Sequence, residues 1–450
     1  MKSEIEGRGQ APDSGKSGGF SDKCDGLRNR AICLAAAMAT TAFVAIFAVI
    51  GPATAQEESL AETVREGTII LDARARIEVV DDADRSLEKG RGSTLRLRIG
   101  YETAEYRNFK GLIEGEFVQR AGMTSFNDTV NGKTGFALVA DPDVAQLNRA
   151  QVTYTGIPGT TIIAGRQRIT IGDGRFVGSD GFRQNEQTFD ALRIINQSLA
   201  DTTLSYTFIG GVNRVLGGKS AVGRLTGETH LFEASYAGLP VGEVTGYAYL
   251  VDLEQAPTLS SKTFGVRLAS TRHPWPRLRI NYGVEFATQR SYGRNPADFD
   301  LGYFMGEVGA AFEGDHEAIS LTARIEWLDG DGGYRSMGGF NMPLGSLHDF
   351  QGFADRFIVT PASGVQDVQL ILAYDMTALK FPRNLRLAGW YHKYTAVVDS
   401  GSLGREVNLA MIAKLTDRLT LTMQYADFNA NPDKPREDRE IIWATLAFDY

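Results

Sequence analysis

From residue 68 to residue 450 the sequence changes hydropathy at almost every step. Segments of roughly ten to fourteen residues alternate apolar and polar, as tilted membrane strands do. No apolar run long enough for a membrane helix follows Gly67. In Leu95–Glu102, the side chains of Leu95, Leu97, Ile99 and Tyr101 share one face, with Arg96, Arg98 and Glu102 on the other. Leu278, Ile280, Tyr282, Val284 and Phe286 alternate in the same way with Arg279, Asn281 and Glu285. Ile319, Leu321, Ala323, Ile325 and Trp327 alternate with Ser320, Thr322, Arg324 and Glu326. A side-chain period of two means extended strands with one apolar face.

A soluble sandwich with one wet face shows the same alternation, but three features favour a membrane barrel. The pattern is too long for an ordinary sandwich and has hardly any helical period. Aromatic residues gather near strand ends, as at Tyr101 and Tyr106, Trp275, Trp327, and Trp390 with Tyr391 and Tyr394, and such girdles mark bilayer interfaces. Finally, Ile442, Ala444, Leu446, Phe448 and Tyr450 share one face of the last segment. That ending resembles the C-terminal signal of bacterial barrel proteins, which implies the barrel-insertion machinery as a partner.

Eighteen such segments can be counted, an even number as bacterial barrels need. Short connections alternate with long ones, among them Ala121–Gln146, Thr170–Glu186, Gly211–Thr226 and Asp329–Ser363. The fold class expected is therefore all-β: an 18-stranded antiparallel transmembrane barrel with short periplasmic turns, long extracellular loops and both ends on the periplasmic side. Lipid bilayer and lipopolysaccharide are the expected surroundings, and the bacterial outer membrane the expected location.

The first 55 residues read differently. A polar, Gly/Ser-rich lead ends in Arg28 and Arg30, an apolar run follows from Ala31 to Ile50, and Ala53-Thr54-Ala55 fits a peptidase site. Residues 1–55 are read as a signal peptide with a long N-terminal lead, the alternative being an uncleaved membrane anchor. Residues 56–67 are then a short periplasmic segment and 68–450 the barrel. Both cysteines, Cys24 and Cys33, lie in the leader, so a mature chain has no disulfide or thiolate site. A net charge of −8 with no basic tract gives no sign of nucleic-acid binding.

Two long connections are rich in distinctive residues. One holds Gly165-Arg166-Gln167-Arg168, Gly172-Asp173-Gly174-Arg175-Phe176-Val177-Gly178, Phe182-Arg183-Gln184-Asn185 and Thr188-Phe189-Asp190-Ala191. The other runs from Gly339 to Phe357 and includes His348-Asp349-Phe350 and Asp355-Arg356. Loops this long are expected to be functional, here by folding inward as a constriction or lid. These stretches, with the C-terminal strand, resemble the alginate export family of outer-membrane proteins. The resemblance implies a monomeric 18-stranded barrel with an arginine-lined pore for an anionic polysaccharide.

Arginine outnumbers lysine 32 to 9 after residue 55. A guanidinium stays charged in narrow places and grips carboxylates bidentately. The pore-lining candidates are Arg98, Arg166, Arg168, Arg175, Arg183, Asp190, Arg193, Arg279, Arg324 and Arg386, and the constriction candidates are His348, Asp349, Asp355 and Arg356. A positive constriction would favour uronates or phosphates. Equally, lumen arginines can pair with lumen acids such as Glu102, Glu114, Glu116, Glu285 and Glu326 to hold a polar interior together.

Other chemistries find little support. Asp329-Gly330-Asp331-Gly332 lacks the later acidic ligands of a calcium loop and reads as a turn. His230, His273, His316, His348 and His392 have no metal-pair spacing, and no Gly-x-Ser-x-Gly elbow follows Gly67, so neither a metal, a cofactor nor an enzyme is expected. The function expected is passive passage of an anionic polysaccharide or oligosaccharide such as alginate. The alternative is a general or uptake porin for small anionic solutes, and an outer-membrane hydrolase comes third.

Overall fold

The computed structural model describes residues 60–84, 86–333, 338–433 and 437–450. The signal-peptide reading of 1–55 lies outside the described residues, as does the start of the 56–67 segment. Among the described residues one short helix, α1 (Leu60–Arg65), precedes eighteen strands. They are β1 (Thr68–Asp82), β2 (Gly90–Glu102), β3 (Phe109–Ser125), β4 (Val144–Ile157), β5 (Thr160–Gln167), β6 (Thr188–Asn196), β7 (Thr202–Asn213), β8 (Arg224–Leu239) and β9 (Gly242–Val251). The second half holds β10 (Ser261–Trp275), β11 (Leu278–Ser291), β12 (Asp300–Glu313), β13 (Glu317–Leu328), β14 (Val365–Met376), β15 (Asn384–Thr395), β16 (Ser402–Lys414), β17 (Leu419–Ala430) and β18 (Arg439–Asp449).

Each strand pairs antiparallel with its sequence neighbours, and β1 pairs with β18 from Asp72↔Asp449 to Asp82↔Arg439. The sheet is thus a closed barrel of eighteen strands, the architecture that the alternation implied. Closure leaves no edge, which is the condition for strands in hydrocarbon, where water is absent and unpaired backbone groups cost several kcal/mol.

The barrel is inverted relative to a soluble core. Leu95, Leu97 and Ile99 on β2 are exposed, whereas Arg96 and Arg98 between them are 6% and 4% exposed. On β13 Leu321 is 55% exposed while Glu326 is fully buried. Aliphatic side chains therefore face the membrane and charged ones face the lumen. Above the apolar belt the pattern is freer. Strands β3, β4, β7 and β8 continue into stretches that the alternation had assigned to loops: β3 ends at Ser125 and β4 begins at Val144. Beyond the bilayer the outer face no longer has to be apolar, so the strand continues without the alternating pattern.

The polarity of the wall is testable. Leu321→Arg, facing the middle of the belt, should destabilise the folded barrel by about 2–4 kcal/mol in vesicle refolding titrations. Thr322→Ser, on the lumen face, should stay within about 0.5 kcal/mol of the parent.

Candidate functional site

Two long connections turn into the barrel. The first inward loop (168–187) leaves β5 and returns on β6, and crosses to the far wall. Its Arg175 donates from Nε to Glu326 of β13 at 2.7 Å, and β13 lies eight strands from β5 in a ring of eighteen. Its Asp173 accepts from Arg267 of β10 at 2.8 Å. Gln184 donates to Thr94 Oγ1 of β2 at 2.9 Å, and its backbone N–H donates to Asp141 at 2.9 Å.

The second inward loop (329–364) joins β13 to β14 and lies against the first. Val177 and Leu344 form a parallel bridge, Gly178 N–H donates to Leu344 O at 2.9 Å, and Ser346 N–H donates to Gly174 O at 2.9 Å. This loop also grips the wall. Ala354 N–H donates to Glu406 of β16 at 2.8 Å, Tyr394 of β15 donates to Gln351 O at 2.9 Å, and Arg356 pairs with Asp82 of β1 at 2.6 Å.

The two loops and the wall meet at Arg183. Its guanidinium donates to both carboxylate oxygens of Glu78 on β1, at 3.0 and 2.9 Å, and to Asp355 of the second loop at 3.1 Å. Asp355 also bonds Nδ1 of His348 at 2.8 Å. His348 stacks on Phe182 with ring centroids 3.4 Å apart and on Phe353 at 5.3 Å, and Arg76 of β1 lies 4.4 Å over Phe182. Arg183, His348 and Asp355 are largely buried. Burial opposes ionisation of Asp355, but the adjoining His348 and Arg183 outweigh it and hold its carboxyl below the usual range. Asp180 and Asp349, flanking this centre, are shifted up, chiefly by desolvation.

Most of the arginines expected to line a pore carry a carboxylate partner. Arg98 bonds Glu116 at 2.6 Å and pairs with Glu186 at 3.2 Å, and Arg168 bonds Glu186 at 2.7 Å. Arg279 pairs with Glu313, Arg386 with Asp375, and Arg324 with Glu307. Arg193 faces the lumen from β6, and its Nε has no hydrogen-bond partner. Asp349 lies in a one-turn 3-10 segment beside His348, reached by solvent yet crowded by the surrounding protein, and that crowding is the desolvation that raises it.

Arg166 and Asp190 need correcting as pore candidates. They pair across β5 and β6 at 2.7 Å, and Arg224 joins Asp190 at 2.8 Å. Their strand neighbours Gln167, Phe189, Val212 and Leu225 are buried on the lumen side, so this cluster lies on the outer face. The alternation contained this answer: Gln167 and Phe189 take the inward positions, so Arg166 and Asp190 cannot.

Several lumen residues had not been singled out. β1 carries Asp72, Arg74, Arg76 and Glu78 inward, opposite Ala73, Ala75, Ile77 and Val79, and β2 adds Arg96. Arg74 pairs in register with Arg96, and Asp72 with Arg98. Arg96 has Asp72 as its partner, while among the described residues Arg74 donates to neutral acceptors only, the Gln184 side chain at 2.8 Å and the carbonyls of Gly181 and Arg183. The signal for β1 was its own strict alternation. Glu78 and Glu406 gave no sequence sign of receiving loops from 105 and 52 residues away.

By structure the chain is similar to several porins. OpdK of Pseudomonas aeruginosa, solved with vanillate, matches with TM-score 0.62 at 11% identity, over 86% of this chain and 99% of that one. OccK2 (OpdF) of the same species, in complex with glucuronate, matches with TM-score 0.60 at 10% identity, over 86% and 99%. A BenF-like porin from Pseudomonas fluorescens Pf-5 matches with TM-score 0.64 at 11% identity, over 86% and 100%. No protein-family model matches the sequence, and no curated protein matches it. The chain has the fold of bacterial outer-membrane porins, and its apolar exterior suits a bilayer.

The resemblance to the alginate export family is therefore not supported: the similar structures are Occ/Opd and BenF-like porins. The physical reason lies in the motifs themselves. The glycines, aromatics and charges of 165–191 and 339–357 seat two loops against each other and the wall. They record an 18-stranded barrel with inward loops.

Two outcomes test this site. Arg183→Met leaves Glu78 and Asp355 buried without their cation, a loss of about 3–5 kcal/mol for a broken buried pair. Single-channel recordings should show larger and noisier conductance as the loops leave their seats. Acidification should act in order. The lowered Asp355 keeps its stabilising charge until the pH falls through its own depressed value, whereas Asp180 and Asp349 take up protons first. As the pH approaches the ordinary carboxylate range, around 4, reversal potentials should shift toward anions before conductance reports loop release.

Proposed function

We propose that this chain is a passive uptake channel of the bacterial outer membrane for small anionic solutes, carboxylates above all. The observation that carries the reading is the arginine group on β1 and β2. Arg74, Arg76, Arg96 and Arg98 face the lumen from two adjacent strands, and among the described residues Arg74 has neutral hydrogen-bond partners only. That part of the wall keeps positive charge that the surrounding acids do not cancel at contact distance. A low-dielectric wall focuses such a field and raises the local concentration of anions. Guanidinium groups also match the planar two-oxygen face of a carboxylate.

Size supports small solutes over a polymer. The first inward loop ties β5 and β6 to β13, and the second closes on it at Arg183, so the upper lumen is crossed by protein. That OpdK was solved with vanillate and OccK2 with glucuronate, both carboxylates, supports the same class here. The lumen closes within one chain, so a monomer suffices. His348 and Asp355 hold the two loops together, so the reading is a channel and not a hydrolase.

Planar-bilayer recording tests this. The reversal potential in a salt gradient should favour anions, and glucuronate or vanillate should reduce the chloride current in a concentration-dependent way while a neutral sugar does not. Arg74→Gln should move the permeability ratio toward unity without loss of folded protein. A cation-selective pore indifferent to carboxylates would refute the reading.

A further inference from the structure

On the membrane side of the barrel, Lys393 of β15 and Arg405 of β16 are directly opposed across the sheet. Both are exposed. They alternate with His392, Tyr394 and Glu406, which are buried toward the lumen, so both side chains project outward. Directly opposed residues have Cβ atoms about 4.5–5.5 Å apart, and like charges so placed repel. Neither residue forms an ion pair among the described residues. Asn429 of β17 pairs with Arg405 on its other side, so three outward donors stand in a row across β15, β16 and β17.

The height of this row gives it meaning. One pair lower on the same face are Tyr391 and Val407, 42% and 40% exposed, with Leu370 at 50% on β14. Below them come Gly389 and Leu409, the latter 52% exposed. The row therefore sits directly above the apolar belt and its aromatic edge, at the end of the barrel with the long connections. With the long connections extracellular, as the sequence pattern implies, that end meets the outer leaflet. Asp427, one pair below Asn429, makes no ion pair with Arg405. Elsewhere near the rim, the outward Arg166 and Arg224 differ from this pair because they share Asp190.

We propose that Lys393, Arg405 and Asn429 form a binding site for a phosphorylated lipid headgroup of the outer leaflet, the phosphate of a lipopolysaccharide. An unpaired guanidinium beside an ammonium offers a phosphate charge-assisted hydrogen bonds from two cations. The acyl chains would lie over the exposed Tyr391, Leu370 and Leu409. The bound phosphate relieves the cross-strand repulsion, so the site stabilises the barrel only in a membrane that provides it. The inference rests on the outer-membrane orientation but not on solute selectivity.

The test is lipid retention and thermal stability of the purified full-length barrel. Detergent-solubilised protein is mixed with lipopolysaccharide, with its dephosphorylated form, or with inorganic phosphate. Retained lipid is read by native mass spectrometry, and folding by the heat-modifiable band on gels. The parent should retain phosphorylated lipid and unfold at higher temperature with it, and dephosphorylated lipid should give neither effect. Lys393→Gln/Arg405→Gln should fold and conduct as the parent does but retain roughly ten-fold less lipid, the scale of one lost charge-assisted hydrogen bond. Equal retention by parent and double variant overturns the site, as does equal retention of the phosphorylated and dephosphorylated lipids by the parent. The latter comparison stands even if the variant fails to fold. If inorganic phosphate alone reproduces the parent's full stabilisation, the lipid assignment is overturned. Anion selectivity is measured on the same samples, so failure of the uptake reading would show separately in the reversal potential.

Discussion

A buried arginine held by acids from two different parts of the chain organises the interior. Arg183 reaches Glu78 on the first strand and Asp355 in the second inward loop, and the stack of Phe182 and His348 encloses the contact. A buried charge is tolerated only when it is paired and hydrogen-bonded. That requirement forces both loops and the wall into one arrangement. The other inward contacts, Arg175 with Glu326 and Arg356 with Asp82, fasten the two loops at other points on the wall. The loops thus belong to the barrel as parts of its polar lining.

The wall was legible in the sequence because membrane strands obey two simple demands at once. Each needs a lipid-facing apolar side and a lumen-facing polar side, and the two alternate strictly, as in Leu95 to Ile99 against Arg96 and Arg98. The count of eighteen and the alternation of short and long connections followed from that pattern, and the closed sheet agrees. Where the demand lapses, so did the reading. Above the bilayer, β3 and β8 extend past their alternating stretches because nothing there requires an apolar exterior.

The site was less legible, for a different reason. Arginine-rich stretches can be seen in a sequence, but a guanidinium has the same letter whether it faces lipid headgroups, a carboxylate or a solute. Arg166 and Asp190 looked like pore residues and lie outside, where register with Gln167 and Phe189 puts them. Glu78 and Glu406 looked like ordinary lumen acids and prove to be loop anchors. Their partners are distant in the chain and obey no local spacing. Resemblance to one family rested on these same loop motifs and failed with them, since loop seating is a structural need shared by barrels with unlike cargo.

The reach of Arg183 also sets an order of assembly. Its partners lie 105 residues before it and 172 after it, while β1 must still wait for β18 to complete the ring. Contacts of such long range form only once the chain between them has been laid down. The second loop is fully seated only once the late strands stand around it, because Gln351 and Ala354 bond Tyr394, Glu406 and Arg439 of β15, β16 and β18.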